Sequence, residues 1–136
     1  MVIRNNRIQS VNGAHRADNA AICTSTRWPA GATAYPLYRN ILVEKNRFID
    51  PTGPALSLRN CQDVVLRDNL IQSAEVSSNA PFAAAILAAY TANLQLNANR
   101  WEVNPSAIPP GVYYDPESTA HIEVFHNVKV QPPAAP

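Results

Sequence analysis

No run of this chain is apolar over the roughly 18 residues that a membrane-spanning helix needs. Its opening, MVIRNNRIQS, lacks the basic end, apolar stretch and small-residue cleavage site of a secretory signal, so either the protein stays inside the cell or its start lies upstream of this sequence. There are only two cysteines, Cys23 and Cys61, with no CxxC pair and no histidine-rich cluster. That is too little for a disulfide framework or a zinc ribbon, and both are expected to be free thiols in ordinary strand or core positions. An excess of either charge is missing as well: 11 basic and 10 acidic side chains leave a net charge of +1. The broad electrostatic footprint of a nucleic-acid or anionic-membrane partner is therefore not expected.

What is present is enough apolar material for a core. With 136 residues, 46% of them hydrophobic and 15% charged, one folded unit is expected rather than a disordered chain. Within it one pattern recurs: apolar, any, apolar, any, any, Asn, any, apolar. It reads Ile41, Val43, Asn46, Phe48, then Val64, Leu66, Asn69, Ile71, then Leu94, Leu96, Asn99, Trp101. A truncated copy opens the chain with Met1, Ile3, Asn6, Ile8, and a degraded one closes it with Ile122, Val124, Asn127, Lys129. The intervals between the asparagines are 40, 23, 30 and 28 residues, which describes a short unit carrying insertions of different length.

A second apolar stretch precedes each later copy. Ala55 to Leu58 aligns with Ala85 to Ala88, with Ala21 to Thr24 in the first unit and with Gly111 to Tyr114 in the last. Each unit thus has two strands of period 2, then a short apolar tail after the Asn. The Ala-rich segment Phe82 to Tyr90 could form a helix by propensity, but its alignment with Ala55 to Asn60 makes it a strand. The recurrent Asn is read as a corner residue, because Asn tolerates the left-handed conformation that a two-residue bend demands. Stacked corners would place Asn6, Asn46, Asn69, Asn99 and Asn127 in a column about 4.8 Å apart, with amide bonded to amide. Like strands of successive units would then pair in parallel, each unit burying its apolar face against its neighbours.

With this repeat the chain resembles the right-handed parallel β-helix superfamily, the pectate-lyase-like fold, over roughly residues 1–130. In that fold each coil has three short strands, with an Asn corner between the second and third. The resemblance implies an all-β solenoid of about four to five coils, followed by a Pro-rich tail at 131–136. The order AAICTS, a Pro- and Tyr-containing loop, YRNILVEKNRFID and PALSLRNCQDVVLRDNLIQ is similar to the C-terminal coils of bacterial β-helix glycoside hydrolases such as the alpha-1,3-galactosidases. It implies a glycan ligand, further coils of the same protein as a partner, and an extracellular or periplasmic location. Met1 falls inside the second strand of a coil, so the chain is expected to be the C-terminal fragment of a longer solenoid. Lys129 and the prolines of QPPAAP suit a natural end, since proline cannot extend a ladder.

Glycosidic cleavage typically needs two carboxyl groups across the bond. If Leu56 and Leu58 point inward, the outward column of the first strands is Ala21, Cys23, Ala55, Ser57, Ala85, Leu87, Gly111 and Tyr113, without an acid. No catalytic residue is assigned, and the carboxylates are expected upstream of Met1. Glu44, Asp68 and Glu123 are read as solvated surface and Asp63 as a turn residue. His15, His121 and His126 share no ligand spacing, so neither a metal nor another cofactor is expected.

The candidate glycan contacts lie in two long insertions, Val11 to Asn19 and Ser25 to Asn40. The second holds Arg27, Trp28, Tyr35 and Tyr38; aromatic faces with a guanidinium suit a sugar ring, and equally could pack the loop onto the sheet. His15, Arg16 and Asp18 could bind hydroxyls or be plain loop surface. Trp101, in the column of Ile8, Phe48 and Ile71, is read as core. The rival reading is a non-catalytic structural or glycan-adhesion module. A polysaccharide lyase ranks last, because no calcium-ligand cluster and no basic strand column is evident.

Overall fold

The computed structural model describes residues 1–9, 20–24, 36–51, 54–73, 86–103, 112–114, 120–126 and 128–130. These are all β, with no helix among them. The strands are β1 (Val2–Arg4), β2 (Arg7–Gln9), β3 (Ile22–Cys23), β4 (Tyr38–Glu44), β5 (Arg47–Ile49), β6 (Leu56–Arg59) and β7 (Cys61–Arg67). They continue as β8 (Leu70–Ser73), β9 (Ile86–Ala89), β10 (Ala92–Asn97), β11 (Arg100–Val103), β12 (Val112–Tyr114), β13 (Ala120–Phe125) and β14 (Val128–Val130).

Consecutive strands enter three sheets in turn. The first has the order β1-β4-β7-β10-β13, the second β14-β11-β8-β5-β2 and the third β12-β9-β6-β3, so each strand pairs with the one three places on. Every pairing is parallel. The short tail after each Asn is thus a strand in its own right, and the repeat has three strands rather than two and a tail. Ile86–Ala89 is extended, paired through Leu56↔Ile86 and Leu58↔Ala88. A strand supplies one side chain to each face per two residues, and that alternation overrides alanine's preference for helix.

Register stacks like on like. Ile3, Val43, Leu66, Leu96 and Val124 form one column of the first sheet. Ile8, Phe48, Ile71 and Trp101 form the inner column of the second, and Ile22, Leu56, Ile86 and Val112 that of the third. They meet in one contiguous core. Burying one such side chain contributes about 1.5–3 kcal/mol, and every internal position has a neighbour on both sides. Burial fades along the stack accordingly: Leu66 is fully buried, whereas Val124 is 55% exposed and Met1 57%.

Two local expectations are corrected. The column asparagines are not the left-handed residues of the corner; the residue before each one is. Asn5, Lys45, Asp68, Ala98 and His126 have φ of 58°, 54°, 54°, 52° and 49°. Further aligned positive-φ positions are Asn60 and Tyr90 ahead of β7 and β10, and Asn40, Asp63, Asn93 and His121 within the first-sheet strands. The glycines lie outside the described residues, and among the described positive-φ positions asparagine, aspartate and histidine, which tolerate this region best, predominate. Second, Ala55 and Ser57 are buried, so the supposed outer column of the third sheet is not an open face there, although Cys23 is exposed.

Candidate ligand-binding face

The corner asparagines act through their side chains. Asn46 Oδ1 accepts from the backbone N–H and the Nδ2 of Asn6, both at 3.0 Å. Asn69 Oδ1 accepts the same pair from Asn46 at 3.1 Å, and Asn99 Oδ1 accepts them from Asn69 at 3.2 and 2.9 Å. The second Nδ2 proton of Asn46, Asn69 and Asn99 goes to the carbonyl of Ile3, Val43 or Leu66, one repeat back. Asn46, Asn69 and Asn99 are buried, and all three use both faces of the amide on the chain itself. A ligand finds nothing to bind there. Asn127 lies outside the described residues.

Glycan contacts expected at His15, Asp18, Arg27, Trp28 and Tyr35 also lie outside the described residues. Tyr38 is half-buried and packs against the core, which accounts for its aromatic ring. Trp101 is 2% exposed and fills the core column. Cys61 is buried at the start of β7, where its thiol donates to Arg59 O and lies 3.2 Å from Thr24 Oγ1. Burial pushes this thiol above its ordinary value, against the lowering effect of the Thr24 and Arg59 hydrogen bonds. Cys23 and Cys61 form no disulfide. No group of three or more His, Cys, Asp or Glu able to hold a metal occurs among the described residues.

The outer face of the first sheet carries an open groove of about 470 Å³ across β4, β7 and β10. One side is the left-handed column Asn40, Asp63, Asn93, in which Asn93 Nδ2 donates to Asp63 Oδ1 at 2.8 Å. The floor is Leu42, Val65 and Gln95, side by side in register, and Arg67 closes the other side. An amide and carboxylate row beside the apolar side chains of Leu42 and Val65 can hydrogen-bond hydroxyls while covering a C–H face.

Next to Arg67 stands a residue that the chain alone misrepresents. Glu44, expected on the solvated surface, is 4% exposed. In register between Arg4 and Arg67, it is ion-paired to Arg4 Nη2 at 3.0 Å and Arg67 Nε at 2.6 Å. The hydrogen bond from Arg67, with the charges of Arg67, Arg4 and Lys45, outweighs desolvation and holds the carboxyl below its ordinary value. Asp63, Asp68 and Glu123 are exposed.

Just past the corner, Arg7, Arg47 and Arg100 open strands of the second sheet and face outward, since Ile8, Phe48 and Trp101 beside them face in. Arg47 Nε donates to Gln72 Oε1 at 2.6 Å, and Gln72 Nε2 donates to Glu102 Oε2 at 2.6 Å. Arg100 Nε pairs with Glu102 Oε1 at 3.2 Å, and Arg7 Nη2 donates to Gln9 Oε1 at 3.3 Å. In register Arg7 lies beside Arg47, and Leu70 separates Arg47 from Arg100, so the basic column is interrupted; the sequence signal for it is the dipeptide Asn-Arg at 6–7, 46–47 and 99–100. No protein-family model, no curated protein sequence and no solved structure matches this chain.

Proposed function

We propose that the chain is a stretch of right-handed parallel β-helix from a carbohydrate-active protein, a glycoside hydrolase of the galactosidase-like kind, in which it forms one wall of the glycan groove. What supports the reading is the register: three parallel sheets entered in rotation, with strand n bonded to strand n + 3, is the arrangement a three-strand coil requires. A parallel crossover is right-handed in nearly all known cases, which gives the coil its hand. The catalytic carboxylates are assigned to other coils of the whole protein, because no two described acids stand opposite each other on neighbouring strands: Glu44 faces Arg67, Glu102 faces Gln72 and Glu123 faces Gln95. Mixed with an activated galactoside, the chain is expected to release no product. Turnover that disappears in Asp18→Asn would overturn the assignment.

One observation favours the rival reading, a glycan-adhesion module. The first-sheet groove is complete within this chain, lined from Asn40 to Gln95. On that reading the chain by itself captures a neutral oligosaccharide from a glycan panel, and Trp28→Ala or Asn93→Ala weakens capture. A bare wall captures none.

A further inference from the structure

Among the described residues of this nearly neutral protein the cations are unevenly placed. Arg4, Lys45 and Arg67 border the Asn corner on its first-sheet side, and Arg7, Arg47 and Arg100 border it on the second-sheet side. Three acids share the strip, Glu44, Asp68 and Glu102, so six positive and three negative charges give it +3, against +1 for the whole chain. Resting on the carbohydrate-active reading above, we propose that this corner binds a linear acidic glycan laid along the stacking direction, its carboxylate or sulfate groups held by the arginines.

Spacing and orientation argue for it. Neighbouring strands are about 4.8 Å apart; Arg7 and Arg47 stand on adjacent strands, Arg100 two strands beyond Arg47 across Leu70, and Arg4 and Arg67 on the strands either side of Glu44. Arg47, Arg67 and Arg100 are each held through Nε, by Gln72, Glu44 and Glu102. A guanidinium held at Nε turns its terminal nitrogens away from that contact, as the fork that pairs with carboxylate or sulfate in two parallel hydrogen bonds. The side chains of Arg4, Arg67 and Arg100 are 53%, 47% and 55% exposed. Amides stand among them: Asn5, Gln9, Gln72 and Asn97. Amides and cations on one strip suit a chain that carries both hydroxyls and acids. Duplex nucleic acid, with a charge about every 1.7 Å, would press against Asp68 and Glu102.

The test measures binding of the chain to hyaluronate and dextran sulfate, with unsubstituted dextran, neutral galacto-oligosaccharides and single-stranded DNA alongside. The acidic glycans are expected to bind, more weakly as salt is raised, and Arg7→Gln/Arg47→Gln/Arg100→Gln is expected to lose about tenfold or more in affinity. The control Arg39→Gln/Arg59→Gln, which removes two positive charges outside the strip, should lose little, whereas Arg47→Gln/Arg100→Gln, which removes two within it, should keep most of the loss, and an unchanged circular dichroism spectrum and Tm show that each variant is folded. Binding of hyaluronate but not dextran sulfate, or the reverse, assigns the acid. Equal losses in the two double variants, or DNA bound as tightly as the glycans, overturn the proposal. Capture of neutral oligosaccharides alone overturns it in favour of the adhesion reading, and binding of no glycan overturns it while leaving the groove-wall reading standing.

Discussion

Replacing Asn69 by alanine tests how the corners are held. Asn69 is 2% exposed and its side chain makes four hydrogen bonds: it donates to Val43 O and Asn99 Oδ1, and accepts from Asn46 N and Nδ2. After truncation, Asn99 Oδ1 keeps the Asn69 backbone N–H and Asn46 Nδ2 keeps Ile3 O. The Asn46 N–H is left without its acceptor, and Val43 O loses a donor. One buried orphan costs about 1–3 kcal/mol, and the weakened carbonyl brings the expected loss to about 2–4 kcal/mol. That is a large share of a typical total of 5–15 kcal/mol and corresponds to roughly 6–15 °C in Tm. Asn6→Ala is the comparison: Asn6 is exposed, and Asn46 Oδ1 retains the backbone N–H of residue 6, so less than about 1 kcal/mol is expected. Asn69→Asp keeps the acceptors and loses both donors, leaving a carboxylate against Val43 O and Asn99 Oδ1; it should be at least as unstable as the alanine variant and recover partly on acidification. Urea and thermal unfolding followed by far-UV circular dichroism give all three values. Equal costs for Asn69→Ala and Asn6→Ala would refute the reasoning.

Ala98→Gly is expected to stabilise the fold by about 0.5 kcal/mol, because a left-handed alanine costs about 1–2 kcal/mol and glycine returns only part of that as unfolded-state entropy; a lower Tm would contradict the φ of 52°. Glu44→Gln should destabilise far more than Glu123→Gln in urea melts at neutral pH. Since the folded carboxyl titrates below its ordinary value, its contribution is present above the ordinary glutamate range and lost as pH falls through the lowered folded value, so the gap between wild type and Glu44→Gln should close in acid. A gap independent of pH would remove the ion pair as its cause. A thiol reagent should modify Cys23 in the native protein and Cys61 only after unfolding, read by mass spectrometry; prompt modification of both would contradict the burial of Cys61.

The strands and their partners were legible because a period of 2 and a recurrent Asn are one-dimensional signals. Aligning Val64 with Leu94 predicts their pairing, and Leu94 does pair with Val64. The core followed for the same reason, Trp101 included. The corner's backbone was misread because two properties of asparagine, tolerance of positive φ and a four-bond amide, both favour it at a bend. The fold separates them, giving the φ to Lys45 or Ala98 and the amide to Asn46 or Asn99. Glu44 and the arginines were hidden differently. Arg4 and Arg67 lie 40 and 23 residues from Glu44 in sequence, so a carboxylate that looks solvated becomes enclosed only once three strands are laid side by side. The glycan contacts expected at Arg27 and Trp28 fall outside the described residues.

The amide column also has a direction. In each of the described links the earlier asparagine donates and the later one accepts: Asn6 to Asn46, Asn46 to Asn69, Asn69 to Asn99. Their dipoles therefore add head to tail, and each polarises the next, so that a link in the middle is stronger than the same pair alone. Lengthening or shortening the stack by whole repeats preserves this electrical alignment, because each amide reaches only one repeat either way; reversing a single repeat would set two carbonyl oxygens face to face.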